Sequence, residues 1–200
     1  MALLKFTPMT YIEYFALNTP MLLAAFTLMT SAFNQDLKGI IFIMGGVILM
    51  TIGKFISSSL GRKVPKEINL MACNLFNSGD WGKVFSSPGP DALFLAYAFS
   101  YITAGMVFHS NYNWPLLGML IIALLANASF RLYSLFCVKP IDILIGWSFG
   151  LIWALCWYFL MVLFENKYDN LISLTYFNSI NGTNQCKLTK KKFKCKKISK

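Results

Sequence analysis

One stretch of 22 consecutive uncharged residues, Ile143–Phe164, constrains the fold of this chain more than any other feature. A bilayer core needs about 20 apolar residues in a helix that spans it. Three more segments carry no charge, namely Tyr14–Gln35, Ala92–Phe108 and Ser110–Phe130, and a fourth, Gly39–Leu60, is apolar except for Lys54 near its end. The chain is 56% hydrophobic and 13% charged, which favours a membrane protein over a soluble domain. We therefore predict an all-α fold, a polytopic transmembrane bundle of about five spans over residues 1–165, with a basic tail over 166–200.

Three residues set the expected helix boundaries within this bundle. Pro20 falls inside the first segment, and proline lacks the N–H that a helix interior needs. We expect the first helix either to be short, starting at Thr19–Pro20, or to be kinked. Asp91 and Asp142 follow Pro/Gly-containing turns and are good candidates for the N-cap positions of the third and fifth helices.

Charged and small residues recur in a distinctive order at the ends of the predicted spans. Lys54-FISSSLG-Arg62 closes the second helix, and Pro88-Gly89-Pro90-Asp91 opens the third. Ser129-Phe130-Arg131 closes the fourth, and Cys137, Asp142, Gly146 and Gly150 follow it. Over about residues 40–165, this order resembles the type 2 phosphatidic acid phosphatase superfamily of integral membrane phosphatases. The family signatures are K-x6-R-P, P-S-G-H and S-R-x5-H-x3-D, often with glycines four and eight positions after the Asp.

The resemblance implies a phosphatase-like core with most of its reactive groups missing. Lys54, Arg62 and Arg131 stand at positions that bind phosphate in the family, although Lys54 and Arg62 are separated by seven residues rather than six. Asp91 stands where the family has its acid His, and Cys137 stands where it has its nucleophilic His. Asp142, one residue late, matches the Asp that orients the nucleophile. Without either His, no phosphohistidine intermediate and no usual proton donor can form, so we expect no catalytic residues and a pseudoenzyme.

Several of these residues also have a simpler interpretation. Cations at helix ends commonly anchor a span at the membrane surface. Gly146 and Gly150 form a small-xxx-small pair, which commonly marks close helix packing. Cys137 has the apolar neighbours Leu135, Phe136 and Val138, which disfavour a reactive thiolate.

The charged residues suggest a hypothesis of their own. An ionisable group at membrane depth costs about 2.5–3.5 kcal/mol on insertion scales, and such groups persist when they are paired. We expect Asp91 or Asp142 to act as an internal counterion for Arg131 and Lys54, in place of a substrate phosphate.

The tail carries much of the net charge of +10, since eight of the 18 Lys and Arg residues lie between Lys187 and Lys200. Such a tail can bind anionic lipid, nucleic acid or an acidic protein surface. A free tail of this composition is expected to be disordered. We therefore expect a protein partner for residues 166–200 and for the long 62–90 connection. No His/Cys spacing predicts a metal site, and nothing predicts a cofactor.

Five spans place the two ends of the chain on opposite sides of the membrane. Cations near the span ends favour a cytoplasmic N-terminus, although the opposite orientation stays open. With the tail outside the cytosol, Asn181-Gly182-Thr183 is a candidate glycosylation sequon. Cys186 and Cys195 could pair only in that orientation.

The sequence as a whole favours a non-enzymatic, multi-pass integral membrane protein that acts as a structural or anchoring subunit of a larger assembly. The internal membrane beneath the capsid shell of a virus particle would be one such setting. The alternatives are an active lipid phosphate phosphatase and a membrane protein that binds phospholipid without hydrolysing it.

Overall fold

In a computed structural model, five long helices form the body of the part of the chain that the structure describes. The structure describes residues 8–60, 89–134, 138–167, 174–176, 184–189 and 192–197. The helices are α1 (Pro8–Asn34), α2 (Lys38–Leu60), α3 (Pro90–Phe108), α4 (Trp114–Ser129) and α5 (Pro140–Lys167). A π-helical turn, Phe130–Ser134, follows α4 directly. With this turn included, all five are long and apolar enough to cross a membrane, which confirms the predicted multi-pass helical architecture.

Helix α1 continues through Pro20, so the expectation of a short first helix starting at Thr19–Pro20 is wrong. Proline at position 20 removes the N–H that would bond to the carbonyl of Ala16. The side chain of Asn127 on α4 replaces it, donating from Nδ2 to the Ala16 oxygen at 3.0 Å. A neighbouring helix therefore satisfies the carbonyl that proline leaves without an intrahelical donor.

Both aspartates predicted as N-caps lie inside their helices instead. Helix α3 has Gly89 as its N-cap and begins at Pro90, while α5 begins at Pro140. Proline suits the first helical position because its fixed φ is helical and its missing N–H would have had no partner there. Asp91 and Asp142 therefore fall in the first turns, and both are buried.

Helix α3 is the centre of the bundle, because it contacts all four other helices and most of its residues are buried. Its closest neighbour is α5, whose Gly146 and Gly150 approach Ala92 and Ala96 of α3. A Cβ atom added at Gly150 would lie only 2.5 Å from the backbone oxygen of Leu93. The two glycines therefore serve close helix packing, as the small-xxx-small pattern predicts.

Helix α2 is held to α3 and α5 by three side chains that donate to its backbone carbonyls. The hydroxyl of Tyr97 donates to Phe42 at 2.7 Å, and the indole nitrogens of two tryptophans donate nearby. Trp153 reaches Gly45 at 3.0 Å, and Trp157 reaches Ile41 at 3.2 Å. These bonds give each polar tip a partner at membrane depth, where water is scarce.

The basic tail contains a two-stranded antiparallel ribbon. Strand β1 is Asn184–Thr189 and strand β2 is Lys192–Lys197. The register places Cys186 opposite Cys195 and Lys187 opposite Lys194.

The α3–α5 interface gives a test with an internal control. Gly150→Ala would place a methyl group against Leu93 backbone and 2.9 Å from the Cβ of Ala96, whereas a Cβ at Gly118 meets nothing within 4 Å. Overpacking of this kind destabilises by about 1–3 kcal/mol. Thermal unfolding of the purified protein in detergent should show a lower Tm for Gly150→Ala and no loss for Gly118→Ala. Equal Tm values for the two variants would contradict the packing.

Candidate functional site

Three charged residues, Asp91, Arg131 and Asp142, lie at one end of the bundle, where α3 and α5 begin and α4 ends. Their neighbours show the convergence, because Ala92, Ala128 and Ile143 form a single buried cluster. Ala92 follows Asp91, Ile143 follows Asp142, and Ala128 precedes Arg131 by about one turn. Three residues of the predicted motif therefore lie at the same end of the bundle.

Arg131 and Asp91 form a buried ion pair between Nη2 of the guanidinium and Oδ2 of the carboxylate, here called the Asp91–Arg131 centre. The two residues are 2% and 1% exposed. Arg131 lies on the π-helical turn, a local geometry that recurs at functional sites. The Asp91–Arg131 half of the counterion hypothesis is therefore confirmed.

The other predicted positions are placed differently. Asp142 is 1% exposed in the first turn of α5, where its backbone N–H donates to the carbonyl of Lys139 at 3.0 Å. Lys54 lies in α2 with an exposed side chain. Next to it, Gly53 packs against Leu93 of α3.

Several predictions fall outside the described residues. These are the positions of Arg62, Cys137 and Asn181, and the connection from 62 to 88. Within the described part of the chain, no three His, Cys, Asp or Glu side chains are grouped so that they could hold a metal ion.

A second polar centre lies at the opposite end of the bundle and was missed by sequence reasoning. Glu165, in the last turn of α5 and 3% exposed, accepts hydrogen bonds from residues beyond the helix. Its Oε1 accepts from the backbone N–H of Leu174 and, at 2.6 Å, from that of Thr175. The Thr175 hydroxyl donates to Oε2 at 3.0 Å. We call this set the Glu165 clasp. Its only sequence signal is an acidic residue directly after an uncharged run.

Tyr176 extends the clasp into the aromatic core. Its ring lies against those of Phe42 and Tyr101, with centroid distances of 6.2 and 6.4 Å. Burial raises the pKa of Tyr176 to about 12, and the Asp36 carboxylate adds to this rise. The phenol is therefore neutral at physiological pH and packs as an aromatic side chain.

The Asp91–Arg131 centre can therefore neutralise its own charges and hold the start of α3 against the end of α4. The Glu165 clasp holds the first residues of the tail against α5.

Comparisons of the chain with protein-family models, with curated proteins and with solved structures find no match.

Charge removal tests the Asp91–Arg131 centre. Asp91→Asn should destabilise the protein by about 3–5 kcal/mol, because it leaves a buried guanidinium without a counterion. Arg131→Gln should have a similar effect, and the double variant should lose much less than the sum. Lys167→Gln, which removes an exposed charge at the end of α5, should stay within about 0.5 kcal/mol of the wild type. Denaturant titration in micelles measures all four, and additive single effects would contradict a direct pair.

Hydrogen exchange tests the Glu165 clasp at the amides that donate to it. A hydrogen bond to a charged group contributes about 1.5–3 kcal/mol, so Glu165→Ala should speed exchange at Leu174 and Thr175 on the order of 10–100-fold. Asn166→Ala, which alters the exposed neighbouring residue, should leave both amides protected. Unchanged exchange in Glu165→Ala would show that something else holds this segment.

Proposed function

We propose that this chain is a non-enzymatic, multi-pass membrane protein that serves as a structural or anchoring subunit of a larger membrane-associated assembly. Its core is a degenerate relative of the type 2 phosphatidic acid phosphatases. One observation carries the proposal: the arginine that would bind phosphate is already neutralised by a carboxylate of the same chain.

Phosphoryl transfer needs cations that are free to meet the charge developing on the phosphoryl oxygens. Arg131 is buried and bonded to Asp91, so a phosphate group would have to displace that carboxylate. It would also bring negative charge toward Asp91 and Asp142, at the same end of the bundle. Both effects oppose the binding of a substrate phosphate here.

The single histidine of the sequence supports the same conclusion. His109 caps the C-terminal end of α3, whereas Asp91 lies in the first turn of this helix. With a rise of 1.5 Å per residue, the two positions are separated by about 27 Å along the helix axis. His109 therefore cannot serve as nucleophile or proton donor at the Asp91–Arg131 centre.

The Glu165 clasp and the Lys-rich tail, at the opposite end of the bundle, support the proposed anchoring role. The Glu165 clasp holds the beginning of the tail against α5, and the Lys-rich segment begins only eleven residues after Tyr176, at Lys187. A cationic segment that is attached to the helix bundle is well placed to bind an anionic surface on an adjacent protein, nucleic acid or membrane. The 62–90 connection is the second proposed contact. A membrane that underlies a protein shell, as in a virus particle, offers such a surface.

Phosphate release tests the enzymatic alternative. The purified full chain in lipid nanodiscs should release no phosphate from phosphatidic acid or an isoprenyl diphosphate beyond the level of Arg131→Gln. Release that is lost in both Arg131→Gln and Asp142→Asn would overturn the proposal in favour of a phosphatase. A phospholipid retained in native mass spectra by the wild type and lost in Arg131→Gln would instead favour a lipid-binding protein.

The anchoring role is tested in native membranes. After mild solubilisation, the full chain should migrate in a complex larger than the monomer, and a variant ending at Tyr176 should migrate as a monomer. That variant retains the Glu165 clasp, so its Tm should match that of the full chain. Identical migration of the two forms would contradict a role for the tail in assembly.

A further inference from the structure

The ribbon in the tail brings two cysteines into register. Cys186 on β1 is the direct antiparallel partner of Cys195 on β2. Directly opposed residues in such a ladder have Cα atoms about 4.5 or 5.5 Å apart, depending on the hydrogen-bonding type of the pair. A disulfide accepts Cα separations of about 4.4–6.8 Å, so the Cα distance of either type of pair suits one.

The rest of the ribbon cannot readily account for its own stability. An isolated two-stranded hairpin is marginal in water, and like charges placed directly opposite destabilise it further. Lys187 faces Lys194 across this ladder. A covalent link between the strands would compensate for both weaknesses by restricting the unfolded chain.

The alternation of residues fits such a link. Positions 186 and 195 fall on the same face of the ribbon as the adjacent cross-strand pair Leu188 and Phe193. The other face carries four lysines, at 187, 192, 194 and 196. A slip of one residue would move the two cysteines to opposite faces, so a disulfide would also fix the register.

We propose that Cys186 and Cys195 form an intramolecular disulfide that closes the β1–β2 ribbon. The two thiols lose two protons and two electrons as the S–S bond forms. The electrons reduce a disulfide of a thiol–disulfide exchange partner to two thiols, through a mixed disulfide.

The proposal also fixes the compartment of the tail. Disulfides persist in oxidising compartments and are rare in the cytosol. With five spans, a tail outside the cytosol requires a cytoplasmic N-terminus, which is the orientation that the cations near the span ends favour. The sequon at Asn181, five residues before Cys186, then lies in the compartment where glycosylation takes place.

Differential thiol labelling of the full chain tests this disulfide. Membranes from animal cells that express the protein are lysed in excess N-ethylmaleimide, and the protein is digested with trypsin without reductant. We expect mass spectra to show the Cys186 and Cys195 peptides joined in most molecules and separated by reduction. In Cys186→Ser, Cys195 should carry the maleimide, while Cys156→Ser should leave the joined peptide unchanged.

Three outcomes would overturn the proposal. Maleimide on both Cys186 and Cys195 of the wild type would show free thiols. Linkage of either residue to Cys73, Cys137 or Cys156 would show a different pairing. Joined peptides with mixed isotope labels, from cells that express light and heavy copies together, would show a bond between two chains.

Discussion

A charge placed at membrane depth must be neutralised, and this requirement organises one end of the bundle. Arg131 cannot leave the apolar interior at 2% exposure, so a carboxylate has to meet it there. Asp91 does so from the first turn of α3, which ties the start of the central helix to the end of α4. The small-residue contact between α3 and α5 then determines where α5 lies. The ion pair thus connects the position of the central helix to that of its neighbours.

Under the proposed function, the same residues account for a phosphatase-like order of residues in a packed helix bundle. The phosphatase resemblance would assign Arg131 to an external anion, but its guanidinium is paired with the carboxylate of Asp91 from the same chain. Gly150 meets α3 at distances that leave no space for a side chain, and Gly146 packs closely against Ala92. A motif of cations and glycines is therefore compatible with a binding pocket and with a closed interface. A cation that pairs with a carboxylate of the same chain indicates a closed interface, whereas a cation open to an external anion indicates a binding pocket.

The sequence predicts the elements of this protein better than it predicts their contacts. Long apolar runs with few or no charges locate all five spans, because the energetic penalty for charge in the bilayer is local and large. The helix-capping rule is also local, and it misassigned Asp91 because the prolines and glycines nearby start the helix earlier. Pro20 was misread since its effect depends on Asn127, more than 100 residues away. Glu165 gave no usable signal, because its partners lie beyond the end of its own helix.

The Glu165 clasp sets a geometric limit on the tail. Tyr176 is fixed against the bundle by contacts with Phe42 and Tyr101, and strand β1 begins eight residues later, at Asn184. A fully extended chain covers at most about 3.6 Å per residue, so the start of the ribbon stays within about 29 Å of its anchor. The lysines on one face of the ribbon are thereby confined to a shell near the membrane. If the tail has the anchoring role proposed above, its partner surface has to come close to the bilayer, because the clasp limits how far the ribbon can extend from the bundle.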